Sequence, residues 1–373
     1  MPVSVDFAYS SCRGTARTNL RRDKPPATFP NCPSNCVTIG VINNMPDEAL
    51  EATERQLFSL LDSASEGIQI RLSFHGLPNV PRNDLGARRV GNFYSSVENL
   101  WDKHLDGLIV TGREPRTSDL RDEPYWDSFA EVVEWAKDNT YSTVWSCLAA
   151  HAAVLHMDGI GRVKSNHKYF GVFECDRLSD HPLTVHAPSC FKLPHSRWNS
   201  LPEDALTACG YSILTRSSDS DVDTFVKKYK SLFVFLQGHP EYDTNSLLLE
   251  YRRDVGRYLR GEAKTYPLMP RGYFDEGTAI ALTTLQNKAM SPTSDDLLAE
   301  VSATLRNSRI ENTWRATATC LYRNWLDYVC EQKRLGLKGP APAAQTHGID
   351  GLGRTLATTG LLQISIQGTR PDS

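Results

Sequence analysis

No stretch of this 373-residue chain comes near the eighteen or so consecutive apolar residues that a membrane span requires. Nor does its N-terminus carry the apolar segment of a secretory signal, so the cytoplasm is the default expectation. Charge of one sign is missing as well. Lys and Arg number 41 against 44 Asp and Glu, a formal net charge of -3, which gives no general attraction to nucleic acid or to an anionic membrane. The nine cysteines are odd in number and scattered, so they do not make a disulfide framework. Cys32 and Cys36 are the one close pair, and no second ligand cluster stands at metal-site spacing. Two free thiols and no metal centre are expected. What remains is ordinary for a globular enzyme: 40% hydrophobic and 23% charged residues, enough chain for one large or two ordinary domains.

The order of elements is more specific. Residues 1–36 are rich in Arg, Ser, Thr and Pro, with a basic bias at Arg13, Arg17, Arg21, Arg22 and Lys24, and read as a mobile leader. The core begins with the apolar run Cys36 to Ile42. Helical spacing of Leu50, Leu57, Leu60 and Leu61 predicts a helix within 46–62, and alternation over 68–74 predicts a strand. A helix is expected at 97–104, a strand at 105–111, a helix at 125–138 and a strand at 142–146. Strands at 232–236 and helices at 148–155 and 314–332 complete the set. From Gly336 onward Gly, Pro, Ala, Thr and Ser dominate, which suggests a variable tail. Strands alternating with helices imply a mostly parallel sheet covered on both faces, in which sites gather beyond the carboxyl ends of the strands.

Four such ends draw attention: Asn43-Asn44, Thr111-Gly112, Cys147 and His239. Cys147 stands between a strand and an alanine-rich helix. There a side chain is exposed at the sheet edge, the positive helix end favours a thiolate, and the Leu148 N–H is available to an oxyanion. The alternative is a cysteine acting as a small buried hydrophobe. About ninety residues later Gly238-His-Pro-Glu241 follows an apolar strand, so His239 can turn back over the edge while Glu241 holds its ring. Thiol, imidazole and carboxylate together form an activated nucleophile suited to acyl transfer through a thioester.

Two enzyme families share this layout. Class I glutamine amidotransferases have a strand, a nucleophilic cysteine and a late His-Pro-Glu, but with glycine two residues either side of the cysteine. Trp145 and Ala149 occupy those places here. From Val37 to about Gln332 the chain more closely resembles the homoserine O-acyltransferases of the succinyl/acetyl type. The matching segments are Asn44-Met-Pro46, Thr53-Glu-Arg-Gln56, Asn92-Phe-Tyr94, Asp106 to Gly112, Tyr125-Trp126, Glu134-Trp135, Cys147, Gly171-Val-Phe173, Pro194-His-Ser-Arg197, Gly238 to Asp243, Arg253-Asp254 and Asn324-Trp-Leu326.

The resemblance implies an α/β fold of the class I glutamine-amidotransferase-like, flavodoxin-like three-layer kind. It implies one catalytic domain over 37–332, between the leader of 1–36 and a tail of 333–373. Cys147 matches the residue that takes the acyl group, His239 the general base and Glu241 its partner. Backbone N–H groups of Leu148, Gly112 and Arg113 match an oxyanion site. Lys168, Ser196 and Arg253 match substrate-binding positions. Arg253 can clamp an amino-acid carboxylate, and Glu250, three residues earlier on the same helix face, can take its ammonium.

No bound cofactor is implied; acyl-CoA, succinyl or acetyl, is the co-substrate, and homoserine or a serine-like amino acid the acceptor. The family suggests a homodimer, with neither nucleic acid nor membrane as partner. Two departures stand out. Asp47-Glu48 replace the lysines usual after Met-Pro, and Arg116 occupies the position that is Glu in acetyl users and Gly in succinyl users, where it can meet a succinyl carboxylate. A glutaminase-like hydrolase and a non-catalytic binding relative are the alternatives.

Overall fold

The computed structural model describes residues 2–6, 36–289 and 297–336. The basic residues of the leader, Cys32 and the tail from 337 onward lie outside them. In chain order the elements are β1 (Val3–Asp6), β2 (Cys36–Ile42), α1 (Leu50–Ala64), β3 (Gln69–Gly76), α2 (Asp84–Phe93), β4 (Ser95–Ser96), β5 (Leu105–Thr111), α3 (Trp126–Asn139), β6 (Thr140–Ser146) and α4 (Leu148–Asp158). There follow β7 (Val163–Arg177), β8 (Cys190–Ser200), α5 (Glu203–Ala208), β9 (Ser212–Ile213), β10 (Thr215–Ser217), β11 (Asp221–Val222), β12 (Thr224–Lys228), β13 (Leu232–Leu236), α6 (Ser246–Leu259), α7 (Glu276–Ala289), α8 (Leu297–Asn307) and α9 (Arg315–Arg334).

Among the described residues the main sheet runs β1-β3-β2-β5-β6-β13-β12-β9, with β4 beside β3. The pairs from β1 through β13 are parallel and only the β12 and β9 edge is antiparallel. Both faces are covered, which is why the central strands read as unbroken apolar runs. Along β13, Phe233 and Phe235 join a core with Phe129, Val132 and Ala153 of α3 and α4. The intervening Leu232, Val234 and Leu236 join Leu57, Leu60, Trp325 and Leu326 of α1 and α9 on the opposite face. The expected three-layer α/β architecture is thus present.

A second, antiparallel sheet, β11-β10-β7-β8, was not foreseen, and neither were α7 and α8. Tyr251, Val255, Leu282, Val301 and Trp314 build a separate cluster beneath α6 to α8. Three expectations need correction. Val97 to His104 is not a helix: a single 3-10 turn, Val97–Leu100, buries Val97 and Leu100, and the chain then runs directly into β5. The leader is not featureless at its start, because Val3–Asp6 pairs with Ile70–Ser73. Cys36 is not a free thiol but disulfide-bonded. No helix among the described residues is long and apolar enough to cross a membrane.

Candidate active site

The parallel register places the strand ends level. Ile42 pairs with Val110, Thr111 with Ser146, and Ser146 with Leu236. The residues that follow therefore emerge side by side. Asn44 ties two of these loops together: its N–H donates to Thr111 Oγ1 at 2.9 Å and its Nδ2 to the Thr111 carbonyl at 3.1 Å.

Cys147 has φ 51° and ψ -112°, a region costly for any residue with a β-carbon. Its N–H donates to the Leu236 carbonyl at 2.7 Å, and α4 begins at the next residue. The half-buried thiol is thereby held on a sharp turn, with the unsatisfied N–H groups of the helix start beside it. The space for this turn comes from Gly112. A β-carbon there would lie 2.6 Å from the Ala149 nitrogen and 2.6 Å from Leu148 Cβ, so the loop after β5 packs directly on the first turn of α4. Glycines at 145 and 149 are not needed: Trp145 points into the core against Phe129 and Phe233.

His239 and Glu241 are both buried, and Nδ1 of the imidazole lies 2.9 Å from Glu241 Oε1. The imidazole also interacts with the Cys147 sulfur, so the thiol and the carboxylate both act on this one ring. Burial pushes the His239 pKa down, but the Cys147 sulfur and the Glu241 carboxylate outweigh it and hold the pKa well above the usual histidine value. The arrangement can activate a thiol and carry the proton released or required at each transfer.

Several residues to which the sequence reading assigned no role hold this turn, some of them in the Pro194-His-Ser-Arg197 segment. The His239 N–H donates to the Pro194 carbonyl at 2.8 Å, and the Gly238 N–H to Asp223 Oδ1 at 2.9 Å. A β-carbon on Gly238 would approach Asp223 Oδ1 to 2.7 Å. His195 Nε2 lies 3.3 Å from the same oxygen, while its Nδ1 accepts from Arg197 Nε at 3.2 Å, which fixes the tautomer. Burial, with Arg197 nearby, keeps His195 neutral.

Arg197 is itself buried, donating to the Asn199 and Ser220 carbonyls and to Ser200 Oγ, with its guanidinium 4.5 Å from the Tyr169 ring centre. Burial pushes its pKa down, opposed first by the nearby Cys147 sulfur and then by Asp223. Cys175, His195 and Asp223 bring three donor atoms within 4.8 Å of one another. Asp223 is already engaged by the protein: its Oδ2 accepts from Thr215 and Thr224 at 3.2 and 2.7 Å, and its Oδ1 from the Gly238 N–H.

Beside His239 lies a cluster of polar side chains. Tyr242 stacks on the imidazole, ring centres 4.4 Å apart and 14° from parallel, and its hydroxyl donates to Glu250 Oε1 at 2.7 Å. Ser196 Oγ donates to Glu250 Oε2 at 2.6 Å. Lys168 Nζ sits 3.9 Å from that oxygen, 3.6 Å from Asp254 Oδ2 and 4.2 Å from the Phe170 ring centre. Lys168, Ser196 and Glu250 therefore come together. Arg253 lies on the same helix but turns to Asp254 Oδ1 at 2.8 Å, with its side chain 55% exposed.

Arg116 is exposed. Its N–H, with the N–H and hydroxyl of Thr117, is held by Glu123 Oε1. Asp47, the first of the two acidic residues after Met45-Pro46, pairs with Arg82 at 3.2 Å. Arg82 also donates to the Met45 and Asn43 carbonyls, so a basic group does lie beside this turn, delivered from the loop just before α2 rather than from the Met-Pro segment.

Residues 31–335 match the family description "Homoserine O-succinyltransferase". The chain is 45% identical over 326 residues to a homoserine O-succinyltransferase of Rhodopseudomonas palustris, covering 87% of this chain and 93% of that protein. It is 43% identical over 297 residues to the one from Bradyrhizobium japonicum, covering 79% and 90%. Among solved structures, a glutamine amidotransferase from Thermotoga maritima aligns over 79% of this chain and 98% of its own, with TM-score 0.43 and 12% identity.

Proposed function

Because the chain belongs to the homoserine O-succinyltransferase family, we propose that it moves a succinyl group from coenzyme A to the side-chain hydroxyl of homoserine in two half-reactions on Cys147. His239 takes the thiol proton, and the sulfur attacks the thioester carbonyl. The bond from that carbon to the coenzyme A sulfur breaks, and the leaving sulfur receives the proton from His239. The homoserine hydroxyl then gives its proton to His239 as its oxygen attacks the acyl-cysteine. The carbon–sulfur bond breaks and the proton returns to Cys147. Glu241 holds the imidazole and offsets its charge in both halves. N–H groups of Leu148 and of the Gly112–Arg113 loop stabilise each oxyanion. The acceptor sits with its ammonium against Glu250, beside Ser196 and Lys168, and its carboxylate toward Arg253. The product is an O-acyl amino acid, activated for replacement of the acyl group by sulfur.

The observation carrying this reading is the strained elbow at Cys147 facing a buried His239–Glu241 pair. The stack of Tyr242 between His239 and Glu250 supports the acceptor assignment, since it sets the ammonium site one ring away from the base. Intact-mass measurement after mixing with succinyl-CoA, without homoserine, should show one acyl adduct, absent from Cys147→Ala and discharged when homoserine is added. Ammonia release from glutamine with no acyl-CoA present would instead favour a hydrolase.

A further inference from the structure

The residue after the oxyanion glycine has an arrangement of its own. A recess beside the Cys147 elbow is lined by Asn44, Gly112, Arg113, Tyr125, Leu148 and Ala152, among others, and Arg113 is the sole charged residue in its wall. Arg113 Nη1 donates to the Pro81 carbonyl at 2.8 Å, while Nε is buried without an acceptor. Among the described residues no carboxylate lies within 4.0 Å of this guanidinium, although burial pushes its pKa down and Arg82 and Arg116 add to the positive field. The opposing groups are Tyr125 and Asp47, and Asp47 is already paired with Arg82. A half-buried cation with no carboxylate partner, in an otherwise uncharged recess beside the Cys147 elbow, is matched by a short chain ending in an anion.

Building on the acyltransfer reading above, we propose that Arg113 reads the free carboxylate of a dicarboxylic acyl donor, with the two methylenes of succinyl lying along Leu148, Ala149 and Ala152. Arg113, rather than the exposed Arg116, then sets the preference for a charged acyl group.

The test compares coenzyme A release from succinyl-CoA and from butyryl-CoA, a neutral donor of equal chain length, in unsubstituted enzyme, Arg113→Gln, Arg113→Lys and Arg116→Gln. Arg113→Gln should lower kcat/KM for succinyl-CoA on the order of 10- to 100-fold and for butyryl-CoA by less than about 3-fold, the range of a lost hydrogen bond to a charged group. Arg113→Lys should fall between the two for succinyl-CoA, since it keeps the charge and loses the fork. Equal losses for both donors would reduce Arg113 to a support of the loop and overturn the proposal. So would a succinyl-selective loss in Arg116→Gln with none in Arg113→Gln. If no donor acylates the unsubstituted enzyme, the acyltransferase reading itself fails. Acylation that Arg113→Gln leaves indiscriminate removes this inference alone.

Discussion

At the scale of single residues, the charge on His239 is the most informative quantity. Its pKa is held high by two partners acting against burial, Cys147 first and Glu241 second, while Tyr242 covers one ring face and neutral His195 lies close by. Removing the sulfur removes the larger of the two. Cys147→Ala should therefore lower the His239 pKa, read from imidazole NMR shifts across a pH titration; an unchanged or higher value would contradict the pairing. Linkage gives a second expectation. A group whose folded pKa exceeds its unfolded value of about 6.5 stabilises fully below that value and loses its contribution as pH rises through the folded pKa. The difference in melting temperature between the natural protein and His239→Asn should shrink as pH is raised above about 6.5. Of these residues, Cys147, His239 and Glu241 were legible because each sits just past an apolar strand. Asp223, His195 and Arg197 were not. Pro194-His-Ser-Arg197 stood out only as a family-like segment, and the contacts that give these residues their roles, Asp223 to Gly238 across 15 residues and Arg197 to Cys147 across the fold, leave no local pattern in the chain.

At the scale of elements, the site depends on how closely the loop after β5 approaches the start of α4. Gly112→Ala sets a β-carbon against backbone at 2.6 Å, so the helix start must move. A displacement near 1 Å at the reacting groups is expected to cost about 100-fold in acylation rate. The check is single-turnover formation of the acyl-enzyme, with circular dichroism showing an unchanged helix content. The parallel strands could be read from sequence because strands buried on both faces are continuous apolar runs. The antiparallel β7–β8 pair could not, since residues such as Tyr169, Ser196 and Arg197 mix polar and apolar functions on strands serving the site. The helix expected at 97–104 failed because Val97 and Leu100 supply one buried turn and nothing beyond it calls for another.

At the scale of the whole molecule, α9 closes the fold from the C-terminal side. Trp325 donates from Nε1 to Ser142 Oγ at 2.9 Å, and its ring packs where a side chain on Gly107 would collide. Asn324 donates to the Leu183 and Val185 carbonyls, so the Asn-Trp-Leu segment ties the sheet to the loop between β7 and β8. Trp325→Ala leaves a large void between α9 and the sheet and should destabilise by about 3–5 kcal/mol. Urea denaturation measures this, and acylation by the remaining folded protein should be spared. The strand order has a further outcome. β13, which carries His239 and Glu241 just beyond its end, slots between β6 and β12, so among the described residues the last parallel strand to be synthesised is the one that brings the imidazole beside Cys147. A nascent chain halted before residue 239 has made Cys147 but not the imidazole that would take its proton, so the pair can meet only after nearly two thirds of the chain has been synthesised.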